Sequence, residues 1–221
     1  VPREELFITT KLWISDFSYE AAKDAFNESL RKLDLDYVDL YLLHQPFGDI
    51  FGAWRALEEL YKEGKIKAIG VSNFKPDQLA NLAAFNEVTP AVNQIELHVF
   101  NQKEDEQAYM LSKGVQTESW GTFAEGQFDV FNNPVLKEIA EKYSKTTAQV
   151  MLRWQLQRGI VSLSKSANPE RVRQNFDIFD FELSAEDMDK IATLNTNTTV
   201  FSDHHEAKTV ELLASFVGKS F

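Results

Sequence analysis

Short apolar runs recur along the chain, separated by stretches in which apolar positions return every three or four residues. The runs predict strands at residues 6–12, 38–44, 66–72, 91–97, 115–120 and 160–166. Several are rich in Ile, Val, Leu and Thr, as expected of strands covered on both faces. Between them the period changes to that of a helix. Residues 19–33 place Ala22, Ala25, Phe26, Leu30 and Leu33 on one stripe, and residues 53–61 do the same with Ala53, Leu57, Leu60 and Tyr61. Further helices are predicted at 76–85, 104–113, 134–143, 147–158, 169–176 and 185–194. Pro76 and Pro169 suit a first helical turn. Ser184 and Asp187 have the spacing of a capping box, with Asp in place of Glu.

Successive strand starts lie mostly 24 to 32 residues apart, the length of one strand plus one crossover helix. Parallel neighbours require that length. No Gly/Ser-rich linker interrupts the series, so residues 1–221 read as a single α/β domain. Two architectures compete, an open doubly wound sheet and a βα barrel.

With 34 acidic and 23 basic residues, the formal net charge is -11. Such a surface argues against broad binding to nucleic acid or anionic membranes. Cysteine is absent, which removes disulfides, thiolate nucleophiles and Cys-based zinc sites. It leaves the compartment open; with no apolar stretch of membrane-spanning length and no signal-peptide pattern, a cytoplasmic protein is expected, monomeric or weakly associating.

None of the nine glycines forms G-x-G, so the dinucleotide fingerprint of the open-sheet fold is missing. His44, His98, His204 and His205 show no metal-binding spacing, and the adjacent His204 and His205 read as solvated residues of a polar tail. Polar residues recur at the C-terminal ends of the strands: Lys11, His44, Ser72-Asn73, Gln94-Glu96, Trp120 and Lys165-Ser166. In a barrel those ends converge on one mouth, where active sites are built, and this favours the barrel. Taken singly, Lys11 could equally emerge into water, His44 could be a hydrogen-bonded structural residue, and Trp120 could belong to the core.

The segments FITTKLW, DYVDLYLLHQP, GKIKAIGVSNF, AVNQIELH and LSKSANPERVRQNF resemble, in that order, the signature segments of the aldo-keto reductases. The resemblance runs to about Asn195. It implies a (β/α)8 TIM-type barrel, of which about six units are present here, and hydride transfer from NADPH to small aldehydes or ketones. By motif, Lys11 corresponds to the active-site lysine and His44 to the histidine that orients the substrate. Ser72, Asn73 and Gln94 correspond to ligands of the nicotinamide carboxamide, whose donors and acceptor they can match. Trp120 stands where the family has an aromatic residue stacked on the nicotinamide. Lys165, Ser166, Arg171 and Asn175 correspond to the grip on the adenosine phosphate, with Lys165 and Arg171 on the 2′-phosphate.

Three departures stand out. His44-Gln45-Pro46 replaces the family's H-W-P, Ser164 replaces a Pro, and Glu118-Ser-Trp-Gly-Thr122 replaces E-A-Y-S-P. A larger one is the lack of counterparts to the family's first two βα units, with the catalytic Asp and the proton-donating Tyr. The chain is therefore expected to be part of a longer protein and to have two open sheet edges. Two rival expectations remain: a catalytically silent nucleotide-binding regulatory member, as the family's potassium-channel β-subunits are partly thought to be, and an unrelated open-sheet binding protein.

Overall fold

The computed structural model describes residues 1–218. Six strands, β1 (Thr9–Leu12), β2 (Val38–Leu43), β3 (Ile66–Ser72), β4 (Val92–Glu96), β5 (Gln116–Trp120) and β6 (Val161–Ser162), follow one another in the sheet in chain order. The helices are α1 (Tyr19–Leu33), α2 (Ile50–Lys62), α3 (Pro76–Ala84), α4 (Glu104–Ser112), α5 (Pro134–Tyr143), α6 (Thr147–Gln157), α7 (Pro169–Phe176), α8 (Ala185–Ala192) and α9 (Ala207–Ala214). The backbone groups into two compact units, residues 1–93 with 109–115 and 203–218, and residues 94–108 with 116–202.

In the first unit β1, β2 and β3 are parallel, with Lys11 opposite Leu42 and Leu42 opposite Gly70. Side chains alternate along a strand, so Lys11, Leu42 and Gly70 share one face while Thr10, Tyr41 and Ile69 share the other. The second face meets helices, and the Tyr41 ring packs edge-on against Phe26 of α1 at 5.1 Å. Ser18 caps α1 by accepting the Ala21 N–H, and Asp34 ends it in the left-handed region at φ 54°. Gly70 is required by space: a Cβ there would lie 2.7 Å from both Leu42 Cδ2 and the Val92 carbonyl oxygen.

In the second unit β5 and β6 are parallel, with Ser119 opposite Ser162. Buried polar side chains lock the strand ends. Gln155 of α6 donates to the Leu97 carbonyl at 3.0 Å and to Ser119 Oγ at 3.1 Å, and Ser119 Oγ donates to the same carbonyl at 2.8 Å. Asn133 and Pro134 start α5, Thr146 and Gln149 form a capping box at α6, and Ser184 and Asp187 form the anticipated box at α8.

β3 fills its apolar run at 66–72, whereas the other strands are shorter than theirs, most of all at the ends of the series. Residues 3–5 form a 3-10 turn whose Arg3 is held by Asp39 at 2.7 Å, so β1 begins only at Thr9. After Ser162 the ladder continues for one bond, Leu163 N–H to the Ser119 carbonyl, and Thr122 Oγ1 then takes the Leu163 carbonyl. α9 falls in a tail that the apolar pattern left without an element.

Candidate active site

In the first unit, the face that carries Lys11 also carries His44 and Ser72, two residues beyond Leu42 and Gly70 on their strands. The His44 N–H donates to the Leu12 carbonyl at 3.0 Å, which carries the pairing of β1 and β2 one residue past β2. The His44 ring meets the Trp13 ring edge-on at 5.0 Å. Asn73 follows β3 in the left-handed region at φ 65°, a conformation Asn tolerates better than most residues. Its Nδ2 donates to the His44 carbonyl at 3.2 Å. Buried Asn93 fixes the next residue, donating to the Phe74 carbonyl at 2.9 Å and accepting the Phe74 N–H.

Burial pushes the His44 imidazole down to about 4, with the positive Lys11 and the neighbouring His204 acting in the same direction. The ring is therefore neutral at ordinary pH and can donate one hydrogen bond without carrying charge. His204 and His205 are half-buried rather than solvated, and His205 is likewise held below the usual range, first by burial and then by Lys75. Tyr41, beside Thr10 on the opposite face of the sheet from Lys11, is pushed up to about 12 by burial. Tyr19 donates to Glu59 and Tyr143 to Asp187, and Arg3 lies over the Tyr37 ring.

In the second unit, Gln94 and Glu96 of β4 and Glu118 and Trp120 of β5 are polar or aromatic positions two residues apart. Gln94 Nε2 donates to Glu118 Oε2 at 2.5 Å. Trp120 is half-buried, and its indole contacts the Phe201 ring at 5.3 Å with a tilt of 59°. Lys165 and Arg171 lie exposed on either side of the start of α7 and form no ion pair with a described residue. Asn168 caps that helix by accepting the Glu170 and Arg171 N–H groups, and Ser166 Oγ in turn accepts the Asn168 N–H at 3.1 Å. Asn168 thus takes the first-turn N–H groups of the helix, and a phosphate there would be met by the two uncommitted side-chain cations. Asn175 lines an apolar groove with Val172, Phe176 and Phe179.

The sequence places Glu96 beside Gln94 at a strand end without giving it a role, and it offers no signal for Thr199 or Phe201. A signal for Glu96 existed in the alternation Gln94, Glu96, His98, three polar residues at one strand end. Thr199 and Phe201 become visible only through the contacts of the loop that bears them. Among the described residues no group of three or more His, Asp or Glu is placed to hold a metal ion, and no helix is long and apolar enough to cross a membrane.

Parallel βα units with polar side chains at their strand ends define an α/β protein of the βα-barrel class. The aldo/keto reductase family model matches residues 1–196, and the chain belongs to that family. It is similar to a glyoxal reductase of Bacillus subtilis, with 50% identity over 201 residues, covering 90% of this chain and 72% of that protein. It is 46% identical over 198 residues to a methylglyoxal reductase of Escherichia coli, covering 88% and 71% respectively. Among solved structures, an aldo-keto reductase from a Medee basin deep-sea metagenome library superimposes with a TM-score of 0.91 at 43% identity, covering 94% of this chain and 78% of that one. A Bombyx mori aldo-keto reductase in complex with NADP gives a TM-score of 0.87 at 35% identity, covering 91% and 72%.

Proposed function

We propose that this protein reduces the carbonyl group of small aldehydes or ketones to the alcohol, with NADPH as the reductant. The observation that carries the reading is a neutral, half-buried His44 beside Lys11 on one face of the β1–β3 strand ends. A neutral imidazole can hydrogen-bond a carbonyl oxygen, and a nearby ammonium favours the negative charge that develops there on reduction. The family match over residues 1–196 and relatives named for glyoxal and methylglyoxal reduction support the same chemistry.

When bound, NADPH supplies the hydride. Ser72, Asn73 and Gln94 are assigned to its carboxamide, and Trp120 offers a flat face for the ring. Asn73 is well fixed for that task, because its backbone is pinned by Asn93 through Phe74 and its amide is tethered to the His44 carbonyl. Lys165 and Arg171 are assigned to the 2′-phosphate, with Ser166 and Asn175 toward the adenosine end; the unpaired cations fit that charge. His44 orients the carbonyl oxygen. We assign the family's catalytic Asp and Tyr to no residue of this chain: Tyr41 lies on the wrong face of the sheet with its hydroxyl pushed up to about 12, and Tyr19 and Tyr143 are bound to carboxylates. Proton delivery is accordingly the weak step of residues 1–221, and their turnover is expected to be low.

The experiment is product detection. Incubation of the protein with NADPH and methylglyoxal is expected to yield the alcohol above a protein-free control. Saturable NADPH binding with no alcohol formed would instead make the chain a silent nucleotide-binding member of the family.

A further inference from the structure

Glu96 is a carboxylate at the end of β4, 8% exposed, and the proposed chemistry gives it no role. Three donors converge on it. His98 Nε2 lies 3.0 Å from Oε1, the Val200 N–H donates to Oε1 at 2.7 Å, and Thr199 Oγ1 donates to Oε2 at 2.5 Å. The His98 ring is fully buried, and its Nδ1 accepts the Phe100 N–H at 3.2 Å. Nδ1 is thus the acceptor, which assigns the Nε2 proton to the bond with Glu96. Burial raises the Glu96 carboxyl, but the hydrogen bonds from His98, Thr199 and Val200 outweigh it, and the net shift is downward.

Two of the three donors belong to a segment that reaches back from about a hundred residues further along the chain. That segment is otherwise held by its backbone and by the Thr196 hydroxyl, which donates to the Phe100 carbonyl at 3.2 Å. The Thr196 and Thr198 N–H groups donate to the Phe100 carbonyl at 3.1 and 3.2 Å, and Gln127 Nε2 donates to the Val200 carbonyl at 3.2 Å. The next residue is Phe201. Its N–H donates to Thr199 Oγ1 at 3.1 Å, the same hydroxyl that donates to Glu96, and its ring lies against Trp120. Glu96 therefore governs both ends of one short lever: the hydroxyl and amide that it binds directly, and the aromatic ring one residue beyond.

We propose that Glu96 is a positioning residue for the Trp120 face: through Thr199 and Val200 it holds the Phe201 ring against the indole and so fixes the surface on which a flat ligand ring stacks. The proposal rests on the assignment of Trp120 to the nicotinamide. A carboxylate suits the task because it accepts all three hydrogen bonds at once, whereas the isosteric amide must turn an N–H toward one of the donors.

The test combines hydrogen exchange with cofactor affinity on the whole chain. In Glu96→Gln, the amides of Val200 and Phe201 are expected to exchange about tenfold faster, and NADPH to bind several-fold more weakly. Phe201→Ala is expected to weaken NADPH by a similar factor. The double variant Glu96→Gln/Phe201→Ala is expected to bind no worse than the weaker single variant, because both act through one ring. Thr199→Val, which removes one donor from the loop side and leaves the buried pair of Glu96 and His98 intact, is expected to reproduce part of both effects even if Glu96→Gln fails to fold. Unchanged exchange at Val200 and Phe201 in Thr199→Val, or additive losses in the double variant, would overturn the proposal. If the unsubstituted chain binds no NADPH, the cofactor reading fails and takes the proposal with it, while the exchange data still report whether the clamp exists.

Discussion

At the residue scale, Lys165, Arg171 and the His44 imidazole are the side chains proposed to hold the cofactor phosphate and orient the carbonyl. Lys165 and Arg171 are exposed, so each contact with a phosphate is taken at the low end for a charge-assisted hydrogen bond, about 1.5 kcal/mol. Lys165→Ala combined with Arg171→Ala is expected to weaken NADPH roughly 100-fold and to leave NADH nearly unchanged. Titrations with both nucleotides check this, and equal losses would remove the two residues from the 2′-phosphate. His44→Ala is expected to lower turnover with little change in NADPH affinity; a large binding defect would mark His44 as structural. The depressed titration of His44 also sets a pH dependence. Its folded value of about 4 lies below the ordinary 6.5, so the unfolded chain takes up the proton first as pH falls. Stability from this group is complete above the ordinary value and is lost between 6.5 and about 4, by at most about 3 kcal/mol. Denaturant melts across that range are expected to show a smaller loss in His44→Gln than in the unsubstituted chain.

The elements show which physical signals a sequence carries. Where periodicity coincided with a cap, boundaries were legible to the residue: α1 between Ser18 and Asp34, α5 from Pro134 after Asn133, and α7 from Pro169 after Asn168. The run at 160–166 was apolar enough for a full strand, but a ladder needs a partner for each bond, and β6 retains two residues. Length of apolar run reports burial tendency, not pairing. The candidate residues at strand ends were legible because alternation and motif agreed on them, from Lys11 and His44 to Gln94 and Trp120. The contact that joins Glu96 to Thr199 was not, because it spans more than a hundred positions in sequence, and nothing local marks Thr199 or Phe201. The tail was misjudged for the same reason: His204 and His205 look solvated in a polar stretch, yet residues 203–218 fold back and half-bury both. Gly70 gives a test at this scale. Gly70→Ala places a methyl group against Leu42 and the Val92 carbonyl and is expected to cost about 1–3 kcal/mol, measured by denaturant unfolding; a neutral or stabilising result would show that β2 and β4 give way there.

For the whole molecule, the acidic surface and the cationic start of α7 act in opposite senses. A net charge of -11 opposes anionic ligands at long range, so preference for a phosphorylated nucleotide has to come from local, salt-sensitive contacts. Family membership covers residues 1–196, and the cofactor assignments draw on residues from Ser72 to Asn175, within that span. The most direct test of the account is a calorimetric titration of the unsubstituted chain with NADPH and, separately, with NADH at fixed ionic strength. Saturable binding of one NADPH per chain is expected, with NADH weaker by roughly 100-fold. No saturable binding of NADPH, or equal affinity for the two nucleotides, would contradict it.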